Sequence, residues 1–253
     1  MTDSARFAGR TAIVTGAASG IGRATALRFA SQGAAVACLD MADAVTDTVA
    51  TITEAGGSAI ALKVDVSDET SVAEAVTAAA AELGTATILA NVAGVLRFGI
   101  THEAPLSDFE LMLRVNLQGP FLMCRAVIPG MLEVGGGAIV NVASSAGMFG
   151  QAYNAGYCAS KGGVAMMTRA IAWEYVKKNI RVNAISPGQV DTPMVSAVEL
   201  PDDIDWKLLR KAMAPGGKSL SPDEPAGLIA FLASDEARSI TGAVIPIDHG
   251  ITC

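Results

Sequence analysis

Tyr157 and Lys161, in the run Tyr157-Cys158-Ala159-Ser160-Lys161, stand four residues apart at the start of a helical stretch, so they share one helical face. A free phenol titrates near pH 10, and ionising it at neutral pH costs roughly 4 kcal/mol. A fixed ammonium beside it lowers that cost and makes tyrosine a usable acid and base. The rival pair Tyr175 and Lys178, three apart, has no hydroxyl-bearing strand end tied to it, and Tyr153 has no lysine at either helical spacing. Tyr157 follows an apolar run that ends Asn141-Val142-Ala143-Ser144-Ser145, where either serine can donate to a substrate oxygen.

A second constellation lies near the N-terminus. The run Thr15-Gly16-Ala17-Ala18-Ser19-Gly20-Ile21-Gly22 follows a short apolar segment and opens a helix. Glycines there let the backbone turn sharply and approach a pyrophosphate, while the helix N-terminus offers free N–H donors. Asp40, eighteen residues after Gly22, is placed to accept hydrogen bonds from adenosine ribose hydroxyls. A 2′-phosphate would meet that carboxylate. Neither Ala17, Ala18 and Ser19 nor Met41, Ala42 and Asp43 supplies a compensating cation, so the pattern predicts NAD(H) over NADP(H).

Positioning these groups requires a regular scaffold. Apolar runs of strand length recur at 11–14, 34–39, 59–64, 88–92, 138–142, 180–185 and 243–247, with Ala-rich helical stretches at 21–32, 42–55, 69–83, 106–132 and 155–178. Strand and helix alternate, which predicts an α/β doubly wound (Rossmann) fold: a mostly parallel seven-stranded sheet with helices on both faces. Gly33, Gly84 and the triplet Gly135-Gly136-Gly137 fall where elements end. Residues 190–222 hold no strand and are broken by Pro193, Pro201 and Pro215-Gly216-Gly217; in a domain spanning 1–253 they read as a substrate lid.

Composition agrees with that scaffold. Of 253 residues, 51% are hydrophobic and only 5% aromatic, which calls for a core of small aliphatic side chains. A net charge of −7 without a basic stripe argues against nucleic acid as a partner. No apolar stretch reaches the roughly 18 residues of a membrane span, and the first ten residues lack a signal-peptide pattern, so a cytoplasmic chain off the membrane is expected. Cys38, Cys124, Cys158 and Cys253 are scattered, His102 and His249 read as surface imidazoles, and no metal site is expected.

Taken together, Thr15 to Gly22, Asn91-Val92-Ala93-Gly94, Asn116, Ser144, Tyr157-x-x-x-Lys161 and Pro187-Gly188 resemble a short-chain dehydrogenase/reductase with a chain near this length. The resemblance implies an oxidoreductase acting on CH–OH donors, interconverting a secondary alcohol and a ketone by hydride transfer. Ser144, thirteen residues before Tyr157, would polarise the substrate oxygen, and Tyr157 would exchange the proton. Lys161 would bind the nicotinamide ribose and depress the tyrosine pKa, while Asn116 would order a water linking the lysine to solvent. Gly16, Ser19, Gly20, Ile21, Gly22 and Asp40 would hold the adenosine end of NAD, Asp65 and Val66 would contact adenine, and Asn91 and Gly94 would shape the channel. Pro187, Gly188, Val190 and Thr192 would border the nicotinamide. Two departures stand out: Val92 replaces a second asparagine, and His249 interrupts a pair of glycines after Asp248.

Leu96, Phe98, Met148, Phe149, Gln151, Tyr153 and Met194 are the expected substrate rim, and their mainly apolar character favours a small alcohol or ketone on a hydrophobic skeleton. The alternatives are a reductase of acyl-carrier-protein thioesters, disfavoured by the acidic charge, and a cofactor-binding redox sensor without catalysis, disfavoured by the intact serine, tyrosine and lysine. No G-x-S-x-G elbow marks a hydrolase. The resemblance also implies a homotetramer built through the helical stretches 106–132 and 155–178.

Overall fold

The computed structural model describes residues 5–197, 199–214 and 216–253; Pro215, part of the expected turn, lies outside them. Seven strands form one sheet in the order β3-β2-β1-β4-β5-β6-β7, and every neighbouring pair is parallel. They are β1 (Thr11–Thr15), β2 (Ala35–Asp40), β3 (Ser58–Lys63), β4 (Ala86–Asn91), β5 (Gly137–Val142), β6 (Ile180–Pro187) and β7 (Val244–Ile247). The order reverses between β1 and β4, and in such sheets ligands bind beyond the carboxyl ends of the strands at that point. The ends of β1, β2, β4, β5 and β6 carry Thr15, Asp40, Asn91, Val142 and Pro187, so every motif emerges on one edge.

Alternate residues of the buried strands feed two cores. Val14, Val36 and Val140 pack with Phe29 of helix α1 (Gly20–Ser31), Ile52 of α2 (Val45–Glu54) and Ile229 of α9 (Asp223–Ala233). Ile13, Leu89 and Ile139 face the other way, onto Val72 of α3 (Glu69–Leu83), Met123 of α5 (Gly119–Glu133) and Ile171 of α6 (Ala155–Tyr175). Strands sandwiched between helices on both faces must be apolar throughout, which is why they read as continuous runs. Proline at position 246 is tolerated because β7 is an edge strand.

The helical stretch 106–132 is not one helix. After α4 (Leu106–Leu113) the chain widens into a π turn at Arg114–Gln118 before α5 begins. Similarly, α6 stops at Tyr175 and tightens into a 3₁₀ turn at Val176–Lys178, ended by Asn179 in the left-handed region at φ 57°. Sequence reading overlooked α9, whose start carries a legible signal. Ser221 and Glu224 have the spacing of a capping box, and half of it is made: the Ser221 N–H donates to the Glu224 carboxylate at 2.7 Å. Arg181 donates to the carbonyls of Leu232 (2.7 Å) and Ser234 (2.9 Å), and Arg10 to that of Ala233 (3.3 Å), satisfying the other end of α9.

Residues 190–222 carry two short helices, α7 (Pro193–Ser196) and α8 (Trp206–Leu209). Their ends are pinned together by a parallel bridge between Val190 and Leu220, with Asp191 N–H donating to the Leu220 carbonyl at 2.9 Å and Leu220 N–H to that of Gln189 at 2.8 Å. Among the described residues no helix is long and apolar enough to cross a membrane.

Candidate active site

The turn after β1 is shaped by close backbone approaches. Gly16 has φ +70°, and a Cβ there would stand 2.9 Å from the Ala93 backbone. Gly20 has φ +50°, and its Cβ would stand 2.9 Å from the Thr192 methyl; a Cβ on Gly22 would overlap the Gly16 carbonyl oxygen. Thr15 Oγ1 accepts from Val92 N–H at 3.0 Å and Ala93 N–H at 3.1 Å, stitching this turn to the one after β4. Ser19 precedes α1 without capping it through its side chain, and Ile21 packs against the first core. The Asp40 carboxylate accepts from Ala18 N–H at 2.9 Å and Ala42 N–H at 3.0 Å, which fixes it beside the glycine turn.

After β3, Asp65 accepts from the Ser67 N–H (2.8 Å) and hydroxyl (2.7 Å), and buried Val66 packs against Gly119 at the start of α5. Asn91 turns inward. It donates to Asn141 Oδ1 at 2.9 Å, Asn141 donates to Thr168 Oγ1 at 2.9 Å, and Thr168 closes on the Val164 carbonyl at 2.8 Å. This chain of buried groups ties β4 and β5 to α6, so the Asn91 amide holds strand ends together.

Asn116 is fully buried in the π turn. Its Oδ1 accepts from Val95 N–H at 2.7 Å, and its amide donates to the Val95 carbonyl (2.9 Å) and Ser160 Oγ (3.1 Å). Both amide protons are thereby used within the protein and one carbonyl lone pair remains, so any ordering of water by this side chain is restricted to acceptance. Ser160, absent from the sequence expectations although it lies inside the Tyr157-to-Lys161 run, donates in turn to the Tyr157 carbonyl at 2.8 Å. A Cβ on Gly94 would lie 3.2 Å from Asn116 Oδ1, 3.6 Å from Lys161 Nζ and 3.8 Å from the Met194 methyl, so Gly94 leaves the space these three groups surround.

The three reactive side chains meet at the ends of β5 and α6. Ser144 Oγ accepts from Ala146 N–H at 3.2 Å, heading a tight turn at Ser145–Gly147, and the Ser144 side chain is close enough to Tyr157 to act on its phenol. Lys161 Nζ lies 5.7 Å from the centre of the Tyr157 ring and donates to the Val142 carbonyl at 2.7 Å. Burial pushes the Tyr157 phenol up to about 12, against the Ser144 side chain, which pulls it down, and neighbouring Cys158 adds to the rise. Burial alone brings the Lys161 ammonium down to about 8. Lys161 is not among the groups that shift the phenol in the protein alone; its ammonium donates to the Val142 carbonyl.

Around this centre, Leu96, Phe98 and Phe149 are half-buried and Met148 is exposed. Gln151 donates through Nε2 to Ser145 Oγ at 3.4 Å and through its backbone N–H to Cys158 Sγ at 3.4 Å. The Tyr153 hydroxyl accepts from Asp205 N–H at 2.8 Å. Gly188 is held by the end of β7, its N–H donating to the Ile247 carbonyl at 3.0 Å, and Pro187 closes β6. Val190 is buried in the bridge to Leu220, and Thr192 begins α7 over Gly20. Tyr175 and Lys178 fall at the far end of α6, away from Ser144. No group of His, Cys, Asp or Glu among the described residues is arranged to hold a metal.

A family model described as "Enoyl-(Acyl carrier protein) reductase" matches residues 16–252. A cis-4-hydroxycyclohexanecarboxylate dehydrogenase from Sinomonas cyclohexanicum is 42% identical over 97% of this chain and 98% of its own. A structure from Burkholderia xenovorans, described as a short-chain dehydrogenase/reductase, superposes with a TM-score of 0.88 at 40% identity over 98% of each chain. One from Beutenbergia cavernae, assigned as an NAD(P)-dependent gluconate 5-dehydrogenase and holding NADP at low occupancy, has a TM-score of 0.88 at 35% identity over 98% of each chain. Full-length similarity of this kind, on a parallel sheet whose one edge gathers the glycine turn, Ser144, Tyr157 and Lys161, establishes that the chain belongs to the short-chain dehydrogenase/reductase family.

Proposed function

We propose that the protein interconverts a secondary alcohol and a ketone on a largely apolar small molecule, using NAD(H). The observation that carries this reading is the gathering of Ser144, Tyr157 and buried Lys161 at the carboxyl edge of the sheet, with Lys161 Nζ 5.7 Å from the centre of the Tyr157 ring. The glycine turn fits a dinucleotide, because only residues without a Cβ at Gly16, Gly20 and Gly22 let it pack against Ala93, Thr192 and itself at the start of α1, where a pyrophosphate would approach, and Asp40 stands where the adenosine ribose would lie. When bound, the nicotinamide supplies the hydride acceptor or donor. Ser144 Oγ orients the substrate oxygen, Tyr157 Oη holds or gives the proton, and Lys161 completes the polar floor. Leu96, Phe98, Phe149 and Met194 form an apolar wall, and residues 190–222 serve as its lid within a single domain. The ring alcohol of the Sinomonas relative's name matches that wall.

The test is turnover of cyclohexanol, cis-4-hydroxycyclohexanecarboxylate and an acetoacetyl thioester with each dinucleotide, followed by nicotinamide absorbance, with Tyr157→Phe as the control. Expected are activity on the ring alcohols, a KM for NADP at least about tenfold above that for NAD because of Asp40, and loss of about a hundredfold or more in Tyr157→Phe. A preference for NADP overturns the cofactor reading. The second reading, a reductase of acyl-carrier-protein thioesters, is favoured by the description of the family model and would appear as activity on the thioester alone.

We also infer self-association through α5 and α6. An apolar groove of about 630 Å³ lined by Leu113, Leu117, Phe121, Met166 and Met167 runs along them, and Trp173 beyond it is 81% exposed.

A further inference from the structure

Tyr153 is held in a conformation that a bulky residue rarely adopts, with φ at 63°. Two contacts account for it. Its carbonyl accepts from Gly99 N–H at 2.9 Å, in the segment after β4, and its hydroxyl accepts from Asp205 N–H at 2.8 Å, at the threshold of α8. One residue thus joins three stretches of chain at the carboxyl edge: the segment carrying Leu96 and Phe98, the approach to Tyr157, and residues 190–222. The last of these is pinned at its base by the Val190 and Leu220 bridge, and its first arm sets Thr192 over Gly20 and Met194 beside Gly94. Between that base and the far end of the loop, α8 carries exposed Trp206 and Leu208 around buried Leu209.

We propose that Tyr153 is a positioning residue that latches the lid over the substrate site, through the bond its phenol oxygen accepts from the Asp205 backbone. The sequence reading places this side chain in the substrate rim; the geometry adds that its oxygen is engaged by the lid. Asp205 is exposed, so the bond competes with water and is weak enough to break and re-form as substrate enters and product leaves. The strained backbone keeps the acceptor in place while the lid is open, because Gly99 holds the Tyr153 carbonyl independently of α8.

The proposal rests on the alcohol dehydrogenase reading for its kinetic consequence but not for its structural one, so two measurements are paired. Limited trypsin digestion reads lid opening at Lys207, Arg210 and Lys211 whatever the enzyme's substrate. Tyr153→Phe removes the acceptor and keeps the ring; it is expected to speed cleavage at these sites by about three- to tenfold. Asp205→Pro removes the donor, and in that background Tyr153→Phe should add nothing. In Asp205→Ala, which keeps the N–H but loses the carboxylate that accepts from Lys207 N–H, Tyr153→Phe should act as fully as in wild type. With cyclohexanol and NAD+, Tyr153→Phe should raise the alcohol KM by a similar factor without a proportionate fall in kcat. Wild-type cleavage rates in Tyr153→Phe, or acceleration that persists in Asp205→Pro, would overturn the latch. A cleavage effect without any turnover of cyclohexanol would uphold the latch and count against the alcohol reading alone.

Discussion

Lys161 and Tyr157 are both held towards their neutral forms by burial, with the ammonium down to about 8 and the phenol up to about 12. The two shifts act on stability in opposite directions. A buried lysine with a lowered pKa loses its proton in the folded chain first, so between pH 8 and its ordinary value of 10.5 the unfolded chain holds more protons and stability climbs. The raised tyrosine withdraws stability only above pH 10, where the unfolded phenol ionises before the folded one. In the absence of dinucleotide, urea denaturation should therefore show a gain of about 1–2 kcal/mol between pH 8 and pH 9.5. Lys161→Met should flatten that slope while abolishing turnover; an unchanged slope would show that the ammonium is not desolvated. The positions of these residues were legible from their spacing, but the directions of their shifts were not, because burial belongs to the packed site.

Elements set the geometry that spacing only allows. The tight turn at Ser145–Gly147 presses on α6 so closely that a Cβ on Gly147 would stand 2.7 Å from the Lys161 backbone. Neither backbone can yield without moving Ser144 relative to Tyr157. Gly147→Ala is expected to lower kcat/KM at least about tenfold through kcat, with dinucleotide affinity, read by fluorescence titration, largely retained; wild-type kcat would show that the contact relaxes harmlessly. Periodicity placed the start of α6 correctly but joined α4 to α5. The intervening π turn depends on Asn116 bonding to Val95 and Ser160, partners 21 and 44 residues away that a local pattern does not contain. Helix α9 escaped notice for another reason: its apolar run from Ala226 to Ala233 has little periodicity, and only the capping-box spacing of Ser221 and Glu224 marks its start.

At the scale of the molecule, the chain leaves a wide apolar surface on α5 and α6 that its own fold does not cover, including Phe121, Met166 and Trp173. Contiguous apolar surface rarely stays open to water on a soluble monomer. Light scattering should report an oligomer, with a tetramer expected, and Met166→Glu should shift it towards smaller species at unchanged far-ultraviolet circular dichroism. A monomeric wild type would remove this reading.

The alternation of apolar strands with Ala-rich helices, and the order in which the glycine turn, Ser144, Tyr157 and Lys161 occur, follow from the sequence by itself, because hydrophobic period and helical spacing are local properties of neighbouring residues. The sheet order that brings five strand ends to one edge, the inward turn of Asn91, the neutral bias of Tyr157 and Lys161, and the hold of Tyr153 on Asp205 were decided only by the tertiary structure. Each depends on groups brought together from distant parts of the chain, where burial and a single backbone N–H determine what a side chain can do.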